Sequence, residues 1–375
     1  MSRSLTALII GGGIAGLSSA IALTRVGVRC EVLEKGNPKE GASIAFSGRA
    51  ANALVDLGIY HLVHDAGTPF PHDSQVATMR DAAGNTLSRG PSRPTWPDAK
   101  EAVGIYRPTF IEIMMKVAID LGVQIHIGTT FDKIENSASG VTVQLSTGEQ
   151  HSYDFVVGAD GINSATRKEI FPSSPDPQYS GQLSIRWMAP GPQVQPESWY
   201  QSSLGRLGFY YLPEGYVYVP SVIDHPENTR LTSEETYQRF SNLLDSMTAP
   251  AIVELRQRLH RDSDLIARPF KWILLSAPWY DNRTILIGDA AHATTAHMGM
   301  GGGMALEDSV VLGQCIRDSL TIDEAFKAFM ERRYERVKTV VNTSVELSNL
   351  EQRNAPPVER MELLESAFAA LSSPY

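Results

Sequence analysis

The chain is short of the residues that staple small domains together. It has two cysteines, Cys30 and Cys315, far apart in 375 residues. A disulfide framework is excluded as an organising principle, and a reducing, cytoplasmic compartment is expected. With no thiol pair near histidines, a structural zinc site is not expected either. Basic charge is also in deficit, with 33 Lys and Arg against 42 Asp and Glu and a net charge of -9. No field gathers nucleic acid, and none is expected as a partner. The densest basic group (Arg332, Arg333, Arg336 and Lys338) is read as one solvated helix face. Internal repeats and low-complexity tracts are absent. One long stretch lacks charge altogether, "SLTALIIGGGIAGLSSAIALT" at residues 4–24, where Gly12 and Gly16 form a small-xxx-small pair. It imitates a membrane helix or a signal peptide. Gly11-Gly12-Gly13 interrupts it after a β-like run, so no membrane span is expected.

What is present is an ordinary globular composition, 42% hydrophobic and 20% charged,. The length favours a second domain or a large insertion. Residues 5–10 read as a buried strand, residues 14–26 as a helix after a glycine turn, and "VRCEVL" at 28–33 as a second strand ending at Glu34. That is the opening of a parallel βαβ unit. Residues 49–67 have apolar positions at helical spacing, and 84–102 read as a Pro-, Ser- and Gly-rich excursion,. A helix over 108–121 and strands at 123–127 and 131–135 follow, and 141–160 alternates, turns at Thr147-Gly148 and finishes in the buried strand Phe155-Val156-Val157. From Phe171 to about Arg268 prolines and tyrosines accumulate, and "GRLGFYYLPEGYVYVPSVI" alternates around a Pro213-Glu214-Gly215 turn,. α/β character returns at "RTILIGDAAH" (283–292), and helices are expected over 304–318, 323–350 and 357–371. The fold class is α/β with an α+β insertion: a Rossmann-like βαβ domain interrupted by an antiparallel-sheet domain and closed by C-terminal helices.

Three strand-to-loop junctions carry chemistry. Gly11-x-Gly13-x-x-Gly16 follows a strand and opens a helix, and Glu34 ends the next strand 18 residues after Gly16. The first glycine permits the turn, the second lets a pyrophosphate approach, and the third lets helix and strand pack. The helix N-terminus offers free N–H groups to phosphate, and Glu34 can accept from a ribose. At the second junction Asp160-Gly161 leaves a buried strand and leads into Ser164 and Arg167, as a ligand group or as a helix cap with an Asp–Arg pair,. The third is "GDAAHATTAHMGMGGGMALED" (288–308), which places Asp289 at the carboxyl end of the sheet. His292 and His297 resemble metal ligands, but a five-residue spacing does not place them on one helical face, so no metal is expected. Gly301 to Gly303 instead expose N–H groups before a helix. Tyr106-Arg107-Pro108 precedes another helix, where the arginine faces a phosphate or a surface acid.

Together, Gly11-x-Gly13-x-x-Gly16 with Glu34, Arg107, Asp160-Gly161 and Gly288-Asp289 resemble the single-component FAD-dependent aromatic hydroxylases, similar to para-hydroxybenzoate and salicylate hydroxylases. The resemblance runs to about residue 345. It implies FAD as cofactor, NADH or NADPH as transient co-substrate, and O2 activated as a flavin C4a-hydroperoxide that hydroxylates an electron-rich aromatic or N-heterocyclic substrate. It implies a discontinuous FAD-binding domain (1–72, 101–171, 270–345), a substrate domain (73–100, 172–269) and a C-terminal helix (346–375), as a monomer or homodimer. By resemblance Gly11, Gly13 and Gly16 bind pyrophosphate, Glu34 the ribose, and Lys35 lies over adenine. Arg107 reaches the phosphates and ribityl chain, and Phe131 meets adenine through its backbone. Asp160 supports both cofactors through a network, Asp289 holds the ribityl chain or a phosphate-bound water, and Gly302 and Gly303 donate to the flavin pyrimidine. The family's Gly-Asp-Ala-x-His-x-x-x-Pro-x-x-Gly-Gln-Gly-x-Asn departs here to Ala296, Met300 and Gly303, and its Pro-Asn-Ala to Gly48-Arg49-Ala50. Arg49 is therefore a candidate for flavin or for an anionic substrate.

The substrate side is less determined. Tyr211 and Tyr218 are candidates for lining the pocket, Arg186 in "LSIRWMA" for balancing a substrate carboxylate, and His225 or His297 for acting as base. Each also reads as ordinary sheet packing or a satisfied histidine. A flavin halogenase is disfavoured by the absence of its lysine and paired-tryptophan motif. A reductase or dehydrogenase of the same superfamily, without oxygen activation, is the alternative.

Overall fold

The apolar run at residues 5–10 becomes strand Thr6–Ile10, at the centre of a six-stranded sheet. The order across this sheet is Tyr280–Asp281, Thr284–Leu286, Phe155–Gly158, Thr6–Ile10, Arg29–Glu34 and Gln124–Ile127. All neighbours run parallel except the edge pair Tyr280–Asp281 and Thr284–Leu286. This computed structural model describes residues 4–38, 41–70, 78–90, 99–191 and 198–375. The central strands are apolar at consecutive positions because both faces are covered. Ala7, Ile9, Val32 and Val157 pack towards helices Ile14–Arg25 and Gly301–Asp318. Leu8, Ile10, Leu33 and Val156 pack on a three-stranded sheet, Phe131–Ser137, Gly140–Leu145 and Gln150–Tyr153. The helix Ile14–Arg25 meets Gly301–Asp318 closely, since a Cβ at Gly313 would lie 3.1 Å from that of Ala22. Ser18 and Ser19 bond Ser309 across the contact at 2.7 and 2.9 Å.

A second sheet runs Leu265–Trp272, Gln178–Pro190, Tyr216–Asp224, Gly205–Gly208, Ser198–Ser202, Thr78–Arg80 and Thr86–Arg89, with Tyr210–Tyr211 paired to Tyr216–Asp224. Alternation sorts its side chains into two faces. Ile185, Trp187, Val217 and Val219 bury against Phe240, Leu244 and Ile252 of helices Ser233–Asp245 and Pro250–Arg258. The register Met188↔Tyr218 and Tyr210↔Tyr218 puts Arg186, Met188, Tyr210 and Tyr218 together on the opposite face.

Several expectations change in detail. Residues 49–67 form two helices, Arg49–Asp56 and Tyr60–Ala66, because Gly58 at φ 65° ends the first. The excursion at 84–102 contains the strand Thr86–Arg89, and its residues 91–98 lie outside the described ones. Helix Ile322–Gln352 runs unbroken through residue 345. The basic group on that helix is not a solvated face: Arg333 is fully buried and Arg336 nearly so, because both meet buried acids.

After Asn354, which is left-handed at φ 50°, the chain turns into helix Pro357–Leu371. Three arginines fasten it by main-chain oxygens. Arg49 donates to Ser372 (2.8 Å), Arg336 to Leu371 (3.0 Å) and Arg332 to Tyr375 (2.9 Å). Among the described residues, no helix is long and apolar enough to cross a membrane.

Candidate functional site

The first junction is shaped by two glycines that cannot be replaced and one that faces open space. Gly11 has φ 110°, and a Cβ there would strike the Ala159 carbonyl at 2.4 Å. A Cβ on Gly16 would fall 1.7 Å from the Gly11 carbonyl oxygen, so this residue is what lets helix and strand touch. Around Gly13, by contrast, a Cβ would meet no protein atom within 4 Å. The open approach at Gly13, the N-cap of helix Ile14–Arg25, suits a phosphate,. Beside it, the Glu34 carboxylate accepts from Gly12 N and Gly36 N, each at 2.7 Å. Gly128 N and Thr129 N donate to the Glu34 carbonyl (2.7 and 3.2 Å), which brings the start of strand Phe131–Ser137 to the same end of the sheet. Lys35 is exposed beside Glu34. These groups fit the adenosine diphosphate half of a dinucleotide.

The second junction is a built network. Both Asp160 oxygens are engaged, Oδ1 by the Ser164 hydroxyl (2.5 Å) and Oδ2 by Thr166 N (2.9 Å) and Thr166 Oγ1 (3.1 Å). Ser164 in turn caps helix Ala165–Ile170 through Arg167 N. Arg167 is buried, and it donates to the carbonyls of Ile162 and Ala290, each at 2.8 Å. The carboxylate thus acts as a cap, and Arg167 ties this junction to the third one rather than pairing with Asp160.

At the third junction Gly288, at φ 56°, sits where a Cβ would meet that of Ala15 at 2.8 Å. Asp289 then opens the short helix Asp289–His292. It faces solvent in a crowded cleft, and the loss of surrounding water pushes its carboxyl above the ordinary range, while His292 and Arg107 act the other way,. Arg107 starts helix Arg107–Asp120 and brings its side chain against Gly41. The residue that fixes this loop is Asp308, which the sequence did not single out. Its Oδ2 accepts from Gly288 N (2.9 Å) and His292 Nε2 (2.6 Å), and its Oδ1 from Arg333 Nε (2.8 Å). Arg333 and Arg336 both reach Glu307 (2.7 and 2.8 Å). Burial alone would raise the Asp308 carboxyl, but His292 and Arg333 outweigh it and hold it down at about 2. His292 is accounted for by this network and by packing on Trp279, and the described residues contain no cluster able to hold a metal. The available signal was Glu307-Asp308, two adjacent acids between the apolar runs Met304-Ala305-Leu306 and Val310-Val311-Leu312.

Helix Gly301–Asp318 begins beside this loop, and its first intrahelical bond is Met304 N to Met300 O (2.9 Å). The N–H groups of Gly301 to Gly303 therefore precede the ladder. Gly302 and Gly303 have a packing reason to be glycine as well, since a Cβ would strike Ile44 at 2.5 Å or Ala50 at 2.7 Å.

Ala296 to Gly299 open onto a cavity of about 260 Å³. It lies at the small end for ligand pockets and suits a one- or two-ring molecule. Its polar wall holds Trp199, Arg206, Tyr210, His297, Glu351 and Arg360, and its apolar wall includes Leu347, Met361, Leu364 and Phe368. Arg206 Nε meets both Glu351 oxygens (2.8 and 2.9 Å), with its guanidinium 4.3 Å from the Trp199 ring centroid. The Trp199 indole donates to Tyr210 Oη at 3.2 Å. His297 Nδ1 lies 2.9 Å from Thr295 Oγ1, whose hydroxyl donates to the Ser344 carbonyl (3.0 Å). With that proton committed, Nδ1 carries the imidazole proton and Nε2 the lone pair. Nε2 is 3.6 Å from Glu351 Oε2, too long for a hydrogen bond, and has no other partner among the described residues,. Burial, with Arg206 adding to it, keeps His297 well below its ordinary 6.5 and hence neutral,.

Other candidates do not converge here. Tyr211 sits one residue out of phase and packs with the helix-covered cluster; Tyr210 is the one that lines the cavity. His225 is buried away from the cavity lining, bonded to Thr229 Oγ1 at 3.1 Å, and its carbonyl accepts from Tyr179. Arg186 shares a sheet face with Tyr218 but does not line the cavity. Arg49 holds the Ser372 carbonyl instead of facing a flavin, because helix Pro357–Leu371 ends beside it. Arg206, Glu351 and Arg360 were not foreseen, since they reach the cavity from separate elements with no local motif.

Residues 4–344 match the FAD binding domain family. The chain is 28% identical over 372 residues to the aurachin C monooxygenase/isomerase of Stigmatella aurantiaca, covering 94% of this chain and 91% of that protein. It is 28% identical over 382 residues to the putative FAD-dependent monooxygenase YetM of Bacillus subtilis (strain 168), covering 98% and 99%. Its fold is similar to that of Klebsiella pneumoniae HpxO complexed with FAD and uric acid, with a TM-score of 0.81 and 22% identity over 98% of this chain and 92% of that one. The glycine cradle, the buttressed Asp289 loop and the family match agree: the chain belongs to the FAD binding domain family, and it is an FAD-dependent monooxygenase.

Proposed function

We propose that the protein hydroxylates a small electron-rich aromatic or N-heterocyclic ring, with NADH or NADPH as reductant. The observation that carries this reading is the cavity beside Ala296 to Gly299, which joins the expected flavin end to a wall of His297, Glu351, Arg206 and Tyr210. Gly11, Gly13, Gly16 and Glu34 hold the adenosine diphosphate half of FAD, Arg107 and Asp289 its middle, and the N–H groups of Gly302 and Gly303 its ring. Asp160 and Asp308 keep those loops in place. Bound FAD, once reduced, supplies activated oxygen for transfer to the ring. The chain's own share is to position the ring, to exclude water, and to remove a proton from its activating O–H or N–H. His297 suits this proton removal, because it is neutral, Thr295 fixes its ring, and its protonated form would meet Glu351.

The test is turnover by purified, yellow holoenzyme. Candidate phenols and hydroxylated N-heterocycles are screened for accelerated NAD(P)H oxidation, O2 uptake and a product carrying one oxygen atom from labelled O2. Hydroxylation requires all three. Reductant consumption that ignores oxygen would overturn this reading in favour of a flavin reductase.

A further inference from the structure

The charge on the cavity wall does not balance. Arg206 and Glu351 neutralise each other through two short contacts, and His297 is neutral. Arg360 adds a second guanidinium to the same wall. Among the described residues it makes no hydrogen bond and no ion pair. The charges acting on it are Glu351, which is already shared, and Arg206, which repels it. Among the described residues, no other one lining the cavity is charged. A guanidinium stays ionised at any working pH, so the wall keeps one uncompensated positive charge partly withdrawn from water. Its placement is regular. Pro357, Arg360, Met361, Leu364 and Phe368 all line the cavity and lie at helical spacing on Pro357–Leu371,. The helix therefore turns one cation and an apolar stripe towards the same space.

We propose that Arg360 is the specificity-determining residue of this cavity, binding an anionic oxygen of the substrate (a carboxylate, phenolate or enolate) while Met361, Leu364 and Phe368 pack on its ring. The assignment rests on the cavity being the substrate site. It adds a chemical class to the proposed function: ring compounds that carry one negative charge. Arg206 serves this end indirectly by occupying Glu351, which would otherwise pair with Arg360.

The experiment uses FAD-loaded enzyme without reductant and three matched pairs of probes: benzoate and benzamide, salicylate and salicylamide, quinoline-4-carboxylate and its amide. Binding is read from perturbation of the flavin absorption band and from the thermal midpoint. At least one acid is expected to bind about ten-fold or more tightly than its amide, the worth of one charge-assisted hydrogen bond. Arg360→Met removes that preference and leaves amide binding within about two-fold, while Arg360→Lys keeps part of it. Glu351→Gln, which frees Arg206, strengthens the preference. The proposal is overturned if no acid outbinds its amide, or if the preference survives in Arg360→Met. Neither probe set needs turnover, so a protein that fails to hydroxylate still reports on Arg360. Conversely, a lost preference leaves the hydroxylase reading standing.

Discussion

Replacing Arg333 by methionine tests the claim that a buried ion network holds the Gly288-Asp289 loop. Arg333 is the bridge of that network, contacting Asp308 at 2.8 Å and Glu307 at 2.7 Å with every partner almost fully buried. Without it Glu307 keeps Arg336, but Asp308 loses its only arginine and keeps Gly288 N and His292. Asp308 sits at about 2 against an ordinary 3.8, and that shift alone corresponds to about 2 kcal/mol of stability,. Because the folded value is depressed, this contribution is complete above pH 3.8 and fades as pH falls through about 2. Removing one partner of a buried pair costs more than the shift, about 3–5 kcal/mol, since a charge is left uncompensated. For a chain of this size the melting midpoint should fall by roughly 4–6 °C. FAD affinity should fall too, by about ten-fold or 1.4 kcal/mol, because Gly288 and Asp289 lose their buttress. The double variant Arg333→Met with Asp308→Asn should recover at least half of the stability, as the orphaned charge is gone. Thermal melts of holoenzyme and fluorescence titration of apoenzyme with FAD measure both. A melting shift under about 2 °C with unchanged FAD affinity refutes the reasoning.

Three further outcomes check separate parts of the site. Gly13→Ala should fold with a melting midpoint unchanged within about 2 °C yet bind FAD more weakly, because its Cβ meets only open space, whereas Gly16→Ala should yield little soluble protein,. Equal behaviour of the two variants in melts and FAD titration sinks the distinction. The acid limb of kcat/KM should lie below pH 6.5, and Arg206→Met should move it upward, since that substitution removes the charge that repels a protonated His297,; an unmoved limb excludes His297 as the titrating group. Tyr210→Phe should change KM by about three-fold or more through loss of the hydroxyl that receives the Trp199 N–H, while Tyr211→Phe leaves KM unchanged; steady-state kinetics separates them,.

The glycine turn after the first strand was legible because its physics is local. Gly11, Gly13 and Gly16 stand five residues or fewer apart in a strand–turn–helix pattern; Gly11 and Gly16 have a backbone reason to be glycine, while Gly13 faces open space. The C-terminal helices were readable for the same reason, with caps and prolines marking their ends. The substrate half failed where geometry depends on register or on distant pairing. A single step of alternation moved the cavity residue from Tyr211 to Tyr210. Arg333 looked solvated because its partners, Glu307 and Asp308, lie on another helix. Arg49 looked like a ligand group because nothing local announces that Ser372 returns to meet it.

The way helix Pro357–Leu371 is tied down has an evolutionary consequence. Arg49, Arg332 and Arg336 grip main-chain oxygens, which every amino acid provides. Of the side chains turned to the cavity, Arg360 and Met361 lie outside that attachment, whereas Leu364 and Phe368 also pack on the core. New substrate preferences are therefore open to trial on this segment while its docking, and the flavin machinery behind it, stay intact. Among related enzymes the segment should diverge faster than the three arginines that clasp it.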